Sequence, residues 1–244
     1  TQMGEIARLY RSAEQFGFGD YFDYRLFAPD WQGPQDAVAG WRMLNWLDDR
    51  LNPKPWRNLV YDKLVMYALL AGAGLPIPRI LAVFQHHGRS FPGARQFREA
   101  GALASSLRTD FPYPFFAKPV YGDVGAGSVA VAAYEAAGDA LVLTNGVRLP
   151  VERFVAGLSE RRKYVQPAYG YLFQELLSLH PALVPVTGER IASVRLIVLM
   201  HDEGPEPISA TWKVVVGDNM SDNYDGGRTG NLLASVDLAT GEVE

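Results

Sequence analysis

The chain has 244 residues, 48% of them hydrophobic and 20% charged, with a net charge of −4 and no cysteine. That length buries a sizeable core as one large domain or two small ones. Scattered basic residues on an acidic chain leave no footprint for nucleic acid. The lack of cysteine excludes disulfides, a thiolate nucleophile and thiolate-bound zinc. The four histidines, His86, His87, His180 and His201, do not pair at the i, i+4 spacing of a helical zinc site. No apolar run approaches the ~18 residues of a membrane span, and Thr1–Asp20 lacks the apolar centre of a signal peptide. A cytoplasmic protein is the expectation.

Residues 1–57 are aromatic-rich and read as helical. Trp41, Leu44, Leu47 and Leu51 fall on one helical stripe, which assigns them to packing, although aromatic surface in this segment suits a partner as well as a core. Pro53 and Pro55 mark a boundary. A second helix is expected over Asn58–Ala73, stopped by Gly72 and Gly74 and kept from resuming by Pro76 and Pro78. A short strand follows over Ile80–Phe84, and a helix near Ala94–Leu107. Phe115–Lys118 then reads as a buried strand ending in a lysine. Gly122, Gly125 and Gly127 form a glycine-rich turn, and Val129–Tyr134 a returning strand. A helix in place of that second strand would suit a Walker loop or a dinucleotide fingerprint. Strand–loop–strand is either an ordinary turn or a hairpin whose N–H groups lie over phosphates beside the Lys118 ammonium.

Asn145-Gly146 between β-like runs predicts a hairpin, and Pro150 opens a helix expected to reach about Lys163. Tyr169–Leu177 is an apolar strand ending in the polar pair Gln174-Glu175. Ile191–Met200 and Pro207–Val216 form an antiparallel pair, and each carries a cation, Arg195 and Lys213, among apolar neighbours. Such cations need anions, supplied either by structural carboxylates or by a ligand. The segment Asp218–Gly230 is polar and glycine-rich. It reads as solvated turns or, beside a phosphate site, as a Mg²⁺ holder, with Asp222 within it and Asp237, in the run Asn231–Asp237 that follows, the candidate ligands.

Taken in order, Lys118-Pro-Val-Tyr-Gly-Asp, Gln174-Glu-Leu-Leu-Ser-Leu-His-Pro, Ser193-Val-Arg-Leu-Ile-Val-Leu and Asp222-Asn-Tyr-Asp-Gly-Gly resemble the sugar-transfer-associated ATP-grasp family, near the alpha-L-glutamate ligases. Asp20-Tyr-Phe-Asp-Tyr-Arg-Leu-Phe and Asp62-Lys-Leu extend the likeness upstream. The resemblance implies an α+β ATP-grasp fold, with two small α+β lobes sandwiching ATP after an N-terminal helical segment. The divisions would be 1–57, a pre-ATP-grasp segment 58–108, a lid subdomain 109–176 and a large subdomain 177–244. It implies that Lys63 and Lys118 reach ATP, that Gly122, Gly125, Ala126, Gly127 and Ser128 cover the triphosphate, and that Gln174, Glu175 and Leu177 meet adenine. His180 stands near the ribose position. Arg195 and Lys213 would steady the transferred phosphoryl group, with Asp222 and Asn223 facing the γ-phosphate.

The implied activity is an ATP- and Mg²⁺-dependent carboxylate–amine ligase acting through an acyl phosphate, with small-molecule carboxylate and amine substrates. The family name points to cell-surface polysaccharide biosynthesis. A small-molecule kinase using Asp222 or Asp225 as base, and a non-catalytic nucleotide-binding protein, are the alternatives. One departure stands out. The acidic strand and Glu-x-Asn pair that hold magnesium in ATP-grasp ligases have no counterpart before Glu244, so a fragment, a second chain completing the site, or binding without turnover is expected.

Overall fold

A computed structural model describes residues 2–28, 39–123 and 125–243; Val124 of the glycine loop lies outside them. The chain divides into two compact units, residues 1–60 and 61–244.

The first unit contains α1 (Gln2–Tyr10), α2 (Phe18–Asp23), α3 (Trp41–Leu51) and most of α4 (Lys54–Tyr61). Its core is Ile6, Leu9, Phe16, Tyr21 and Leu26. Asp20 is buried and earns its place by accepting from Gly17 N at 2.6 Å and Trp41 N at 2.9 Å, which ties α2 to the start of α3. The stripe assigned to packing on α3 is instead exposed: Trp41 is 66% and Leu51 58% accessible, and no residue of α3 is buried.

The single helix expected over Asn58–Ala73 is two, because Asp62 breaks it. With φ −88° and ψ 103°, Asp62 leaves the helical region and caps α5 (Lys63–Gly72), accepting from Leu64 N and Val65 N. The same carboxylate takes both guanidinium nitrogens of Arg89, at 2.6 and 2.9 Å. Asp62→Ala removes a cap and orphans a half-buried arginine, so we expect a loss of about 2 kcal/mol, or a melting temperature several degrees lower. Asp62→Asn, which keeps the cap, should recover about half of it in the same thermal melt.

Beyond α5 come β1 (Ile80–Phe84), β2 (Arg95–Phe97), α6 (Ala100–Thr109), β3 (Phe115–Pro119), β4 (Val129–Glu135), β5 (Ala140–Leu143), β6 (Arg148–Pro150), α7 (Val151–Gly157) and β7 (Tyr171–Glu175). The helix expected near Ala94–Leu107 is thus a short strand followed by α6, and the helix expected to reach Lys163 stops at Gly157. The seven strands form one sheet in the order β2-β1-β7-β3-β4-β5-β6, antiparallel except for β1 with β2. β1 and β2 precede residue 109 yet share this sheet with the strands that follow it.

Strand alternation sets the two faces of β3. Phe115 and Ala117 point into the main core with Leu103 and Leu107 of α6 and Phe154 and Val155 of α7. Phe116 and Lys118 therefore point to the other face. That face is partly covered by α5, whose Leu64 and Tyr67 pack on Ile80, Val83, Val120 and Leu172. After α8 (Val184–Thr187), a second sheet holds β8 (Ser193–His201), β9 (Gly204–Val214) and β10 (Leu232–Val236) in the order β10-β9-β8. Among the described residues no helix is long and apolar enough to cross a membrane.

Candidate functional site

Lys118 is the fourth residue of β3, opposite Leu172 of β7, and stands beside α5. Its Nζ donates to Tyr67 Oη at 2.7 Å and lies 5.0 Å from the centre of that ring. Tyr67 Oη in turn donates to Gln174 Oε1 at 3.2 Å. Lys63, the first residue of α5, donates from Nζ to Gly122 O at 2.8 Å, and its own N–H bonds Val120 O at 3.1 Å. The cap at Asp62 and the strand at Lys118 thus bring two lysines to the root of the glycine loop.

Burial, and secondarily the charge of Lys63, pushes Lys118 down to about 8. Burial also lowers Lys63, though Asp123 and Asp62 oppose the shift. Lys118 has no carboxylate in ion-pair range among the described residues. A desolvated cation beside another cation is costly unless an anion joins them, and a polyphosphate supplies one.

The glycine loop turns through hydrogen bonds from Ala126 N to Asp123 O and from Ser128 N to Gly125 O. Gly127 has φ +73°, and a Cβ there would stand 2.7 Å from Tyr171 Oη. Only glycine lets the loop pack this closely on β7. A Cβ on Gly125 would stand 2.8 Å from Ser221 Oγ, so the loop also approaches the segment after β9.

Between the first sheet and the segments flanking β8 and β9 lies a cavity of about 290 Å³, lined by Phe116, Ala130 and Gln174 on one side and by Arg190, Val215 and Asp222 on the other. Leu177 lines it too. Glu175 instead clips the chain: its Oε1 accepts from Arg79 N at 2.8 Å. His180 is exposed and its Nδ1 accepts from Ala182 N, so its ring closes a local turn.

On the second sheet, register places Ser193, Arg195 and Lys213 on one face, since Ser193 pairs with Lys213 and Arg195 with Thr211. Lys213 Nζ is 2.9 Å from Asp222 Oδ1, and Ser193 Oγ donates to Asp222 Oδ2. Arg195 is exposed. The carbonyl of Asn223 accepts from Thr229 Oγ1 and Asn231 Nδ2, both at 2.7 Å. Asn231, 2% exposed, also bonds Ser221 O and Val216 N and so fixes the whole 216–223 turn.

Asp222 and Asp237, the two expected magnesium ligands, are not brought together. Asp222 meets Lys213, whereas Asp237 follows Val236, which pairs with Ala210, three residues along β9. At ~3.3 Å per residue this is about 10 Å of strand. Asp237 closes its own turn through Thr240 and Ala239. Among the described residues no three His, Cys, Asp or Glu groups cluster as a metal site.

Residues 43–244 match the sugar-transfer associated ATP-grasp family. The chain belongs to that family. No curated protein matches it. Membership makes it an ATP-binding protein with an ATP-dependent, ligase-type activity on small-molecule substrates.

The residues present fit ATP: two desolvated lysines with a tyrosine, a close-packed glycine loop, and a cleft ending in the Gln174–Leu177 connector. Mg²⁺ bound with ATP usually takes one or two protein carboxylates, the rest being phosphate and water. Asp222 lines the cleft with both oxygens engaged, by Lys213 and Ser193, and would hold the ion only in exchange for that pairing, the ion then supplying charge neutralisation there. Sequence alone does not single out Tyr67, Arg89 or Asn231. Tyr67 looks like any apolar helix residue until β3 places Lys118 against it. Asn231 is one of several asparagines in a polar stretch.

Proposed function

We propose that this protein is an ATP-dependent carboxylate–amine ligase working through an acyl phosphate, with ATP lying between the two sheets. The observation that carries the reading is the Lys63–Lys118 pair, two desolvated cations held at the root of the glycine loop through Gly122 O and Tyr67 Oη. In the first step a carboxylate oxygen bonds the γ-phosphorus as the β,γ-bridging bond breaks and ADP leaves. In the second an amine bonds the acyl carbon, phosphate departs with the former carboxylate oxygen, and the amine gives up a proton. Neither step needs a nucleophilic side chain. Both need alignment and cations against the phosphoryl oxygens.

Lys118 and Lys63 hold the phosphates, Gly122, Gly125, Ala126, Gly127 and Ser128 close over them, and Gln174, Glu175 and Leu177 edge the base. Lys213 and Arg195 stabilise the transferred group from the facing sheet, and Asn223 shapes the loop carrying Asp222. The sugar-transfer association of the family supports a place in polysaccharide biosynthesis. A kinase needs a carboxylate free to take a hydroxyl proton. Asp222 is engaged by Lys213 and Ser193, and Asp225 by Arg228, which favours the amide-forming reading. Carboxylate labelled with ¹⁸O at both oxygens tests it: one labelled oxygen in inorganic phosphate for each amide formed supports the acyl phosphate, and amide formed with unlabelled phosphate overturns it.

The lowered Lys118 gives a pH signature. Above about pH 8 the free protein holds this amine largely neutral, while a bound polyanion favours the ammonium. ATP binding at pH 8.5 should therefore take up a proton, and affinity should fall as pH rises through 8 to 9.5. Stability runs the other way. The folded chain binds fewer protons at this site than the unfolded one between about 8 and the ordinary lysine value near ~10.4, so this group's contribution to stability rises with pH over that window. Calorimetry in buffers of different ionisation enthalpy measures the uptake.

A further inference from the structure

A second and larger cavity, of about 890 Å³, lies at the root of the glycine loop. Its walls are Tyr61, Tyr121, Gly122 and Asp123 together with residues 161–168. The sheet register says where this is relative to the cleft. β3 and β7 run antiparallel from Phe115 opposite Glu175 to Pro119 opposite Tyr171. The pairing then continues outward: Val120 N bonds Gly170 O, Gln166 N bonds Tyr121 O, and Gly122 bridges Val165. The Gln174–Leu177 connector is at one end of this ladder, Lys118 is within it, and the second cavity is at the other end. A nucleotide with its base at the connector and its phosphates at Lys118 directs its terminal phosphate toward that cavity.

The lining has a consistent chemistry. Arg161, Arg162 and Lys163 line it with one acidic residue, Asp123, and the Tyr164 hydroxyl and then Asp225, outside the lining, are close enough to raise the Lys163 ammonium. Arg162 is paired with Glu160 at 2.9 Å, and Lys163 Nζ lies 4.7 Å from the Tyr164 ring centre. Arg161 is exposed and pairs with no carboxylate among the described residues. Tyr61, Tyr121 and Tyr164 complete the wall, and Tyr169 backs it. Tyr121 is stacked on Tyr169 at 4.8 Å and 28°, and Tyr61 lies 5.9 Å from Tyr121. A cationic lining repels a protonated amine and attracts a carboxylate, which arginine can hold through two parallel hydrogen bonds. The volume is at the upper end for small-molecule sites. Tyrosine faces with polar tips suit a ligand that is apolar on one face and hydroxylated at its edge.

We propose that this cavity binds the carboxylate co-substrate and that this substrate is a sugar acid, its carboxylate held by Arg161 and Lys163 and its ring laid against the tyrosine wall. The assignment rests on the reading that Lys63 and Lys118 hold the ATP phosphates.

The test is calorimetric titration of the intact protein with glucuronate, in the presence of a non-hydrolysable ATP analogue, with glucose and inorganic phosphate as comparisons. We expect glucuronate to bind in the millimolar range or tighter and glucose at least tenfold more weakly. R161Q/K163Q should reduce glucuronate affinity at least tenfold with ATP affinity unchanged, and Lys118→Ala should do the reverse. Both positions of the double variant are solvent-exposed, so the fold is not at risk. Equal binding of glucose, no binding of glucuronate, or glucuronate affinity indifferent to the double substitution overturns the proposal. Phosphate competing for the same two residues more tightly than glucuronate also overturns it. Glucuronate binding that depends on Arg161 and Lys163, together with ATP binding indifferent to Lys118, upholds the cavity and removes the phosphate-site reading beneath it.

Discussion

Lys118→Ala is expected to weaken ATP binding by about 2–3 kcal/mol, roughly thirty- to a hundred-and-fifty-fold, while leaving the unliganded protein as stable as before or slightly more so. The two halves of this expectation have one cause. In the free protein Lys118 is a desolvated cation with a tyrosine hydroxyl as partner and Lys63 as a like-charged neighbour. Removing it relieves a buried charge, and Tyr67 keeps its hydrogen bond to Gln174. With ATP bound the same ammonium gains charge-assisted hydrogen bonds in a site of low dielectric. A residue present only for packing would show the opposite pattern, a lower melting temperature with little change in affinity. Measuring both on one preparation separates the two cases.

Gly170→Ala is expected to be the most damaging single methyl group in the second unit. Gly170 has φ +81°, and an added Cβ would stand 2.3 Å from Phe84 O and 2.8 Å from Gln85 Cβ. Those atoms are at the end of β1, where it pairs with β7, and the carbonyl of Gly170 accepts from Val120 N. Relief would require β1 and β7 to part at the centre of the sheet, next to the turn that carries the glycine loop. We expect a cost of about 4 kcal/mol or more, a large fraction of the ~5–15 kcal/mol that holds a domain together, and therefore poor soluble expression. Gly146→Ala is the control. Its φ is +82°, but nothing lies within 4 Å of the added atom, so only backbone strain of about 1 kcal/mol is expected. Chemical denaturation of the two variants measures the difference between a strained and a blocked position.

How far the sequence speaks for the structure depends on the range of the interaction. Asn145-Gly146 forms the expected hairpin between β5 and β6, and the strands carrying Arg195 and Lys213 pair as read, because turn chemistry and alternation are local. Helix bounds are less legible where contacts outside the helix intervene. Asp62 reads as one more helix residue although its cap on Leu64 N and Val65 N is local; what lies beyond the local sequence is that Arg89 holds the same carboxylate. The α3 stripe has helical spacing, yet spacing does not say whether anything covers it. Lys118 and the glycines stood out because lysine among strand residues and three close glycines break the composition around them. Tyr67 did not, since its role appears only when α5 lies against β3. The pairing of Asp222 with Asp237 failed for the same reason: fifteen residues of separation say nothing about which end of a sheet each occupies.

The placement of ATP is tested most directly by photolabelling with 8-azido-ATP and Mg²⁺, followed by mapping of the modified peptide. With the base in the cleft between the sheets, label falls on the connector at Gln174–Leu177 or on the facing residues Arg190 and Ile191, and excess ATP prevents it. Label on residues 161–168 would put the base in the second cavity and contradict both the nucleotide site and the sugar-acid site described for this chain.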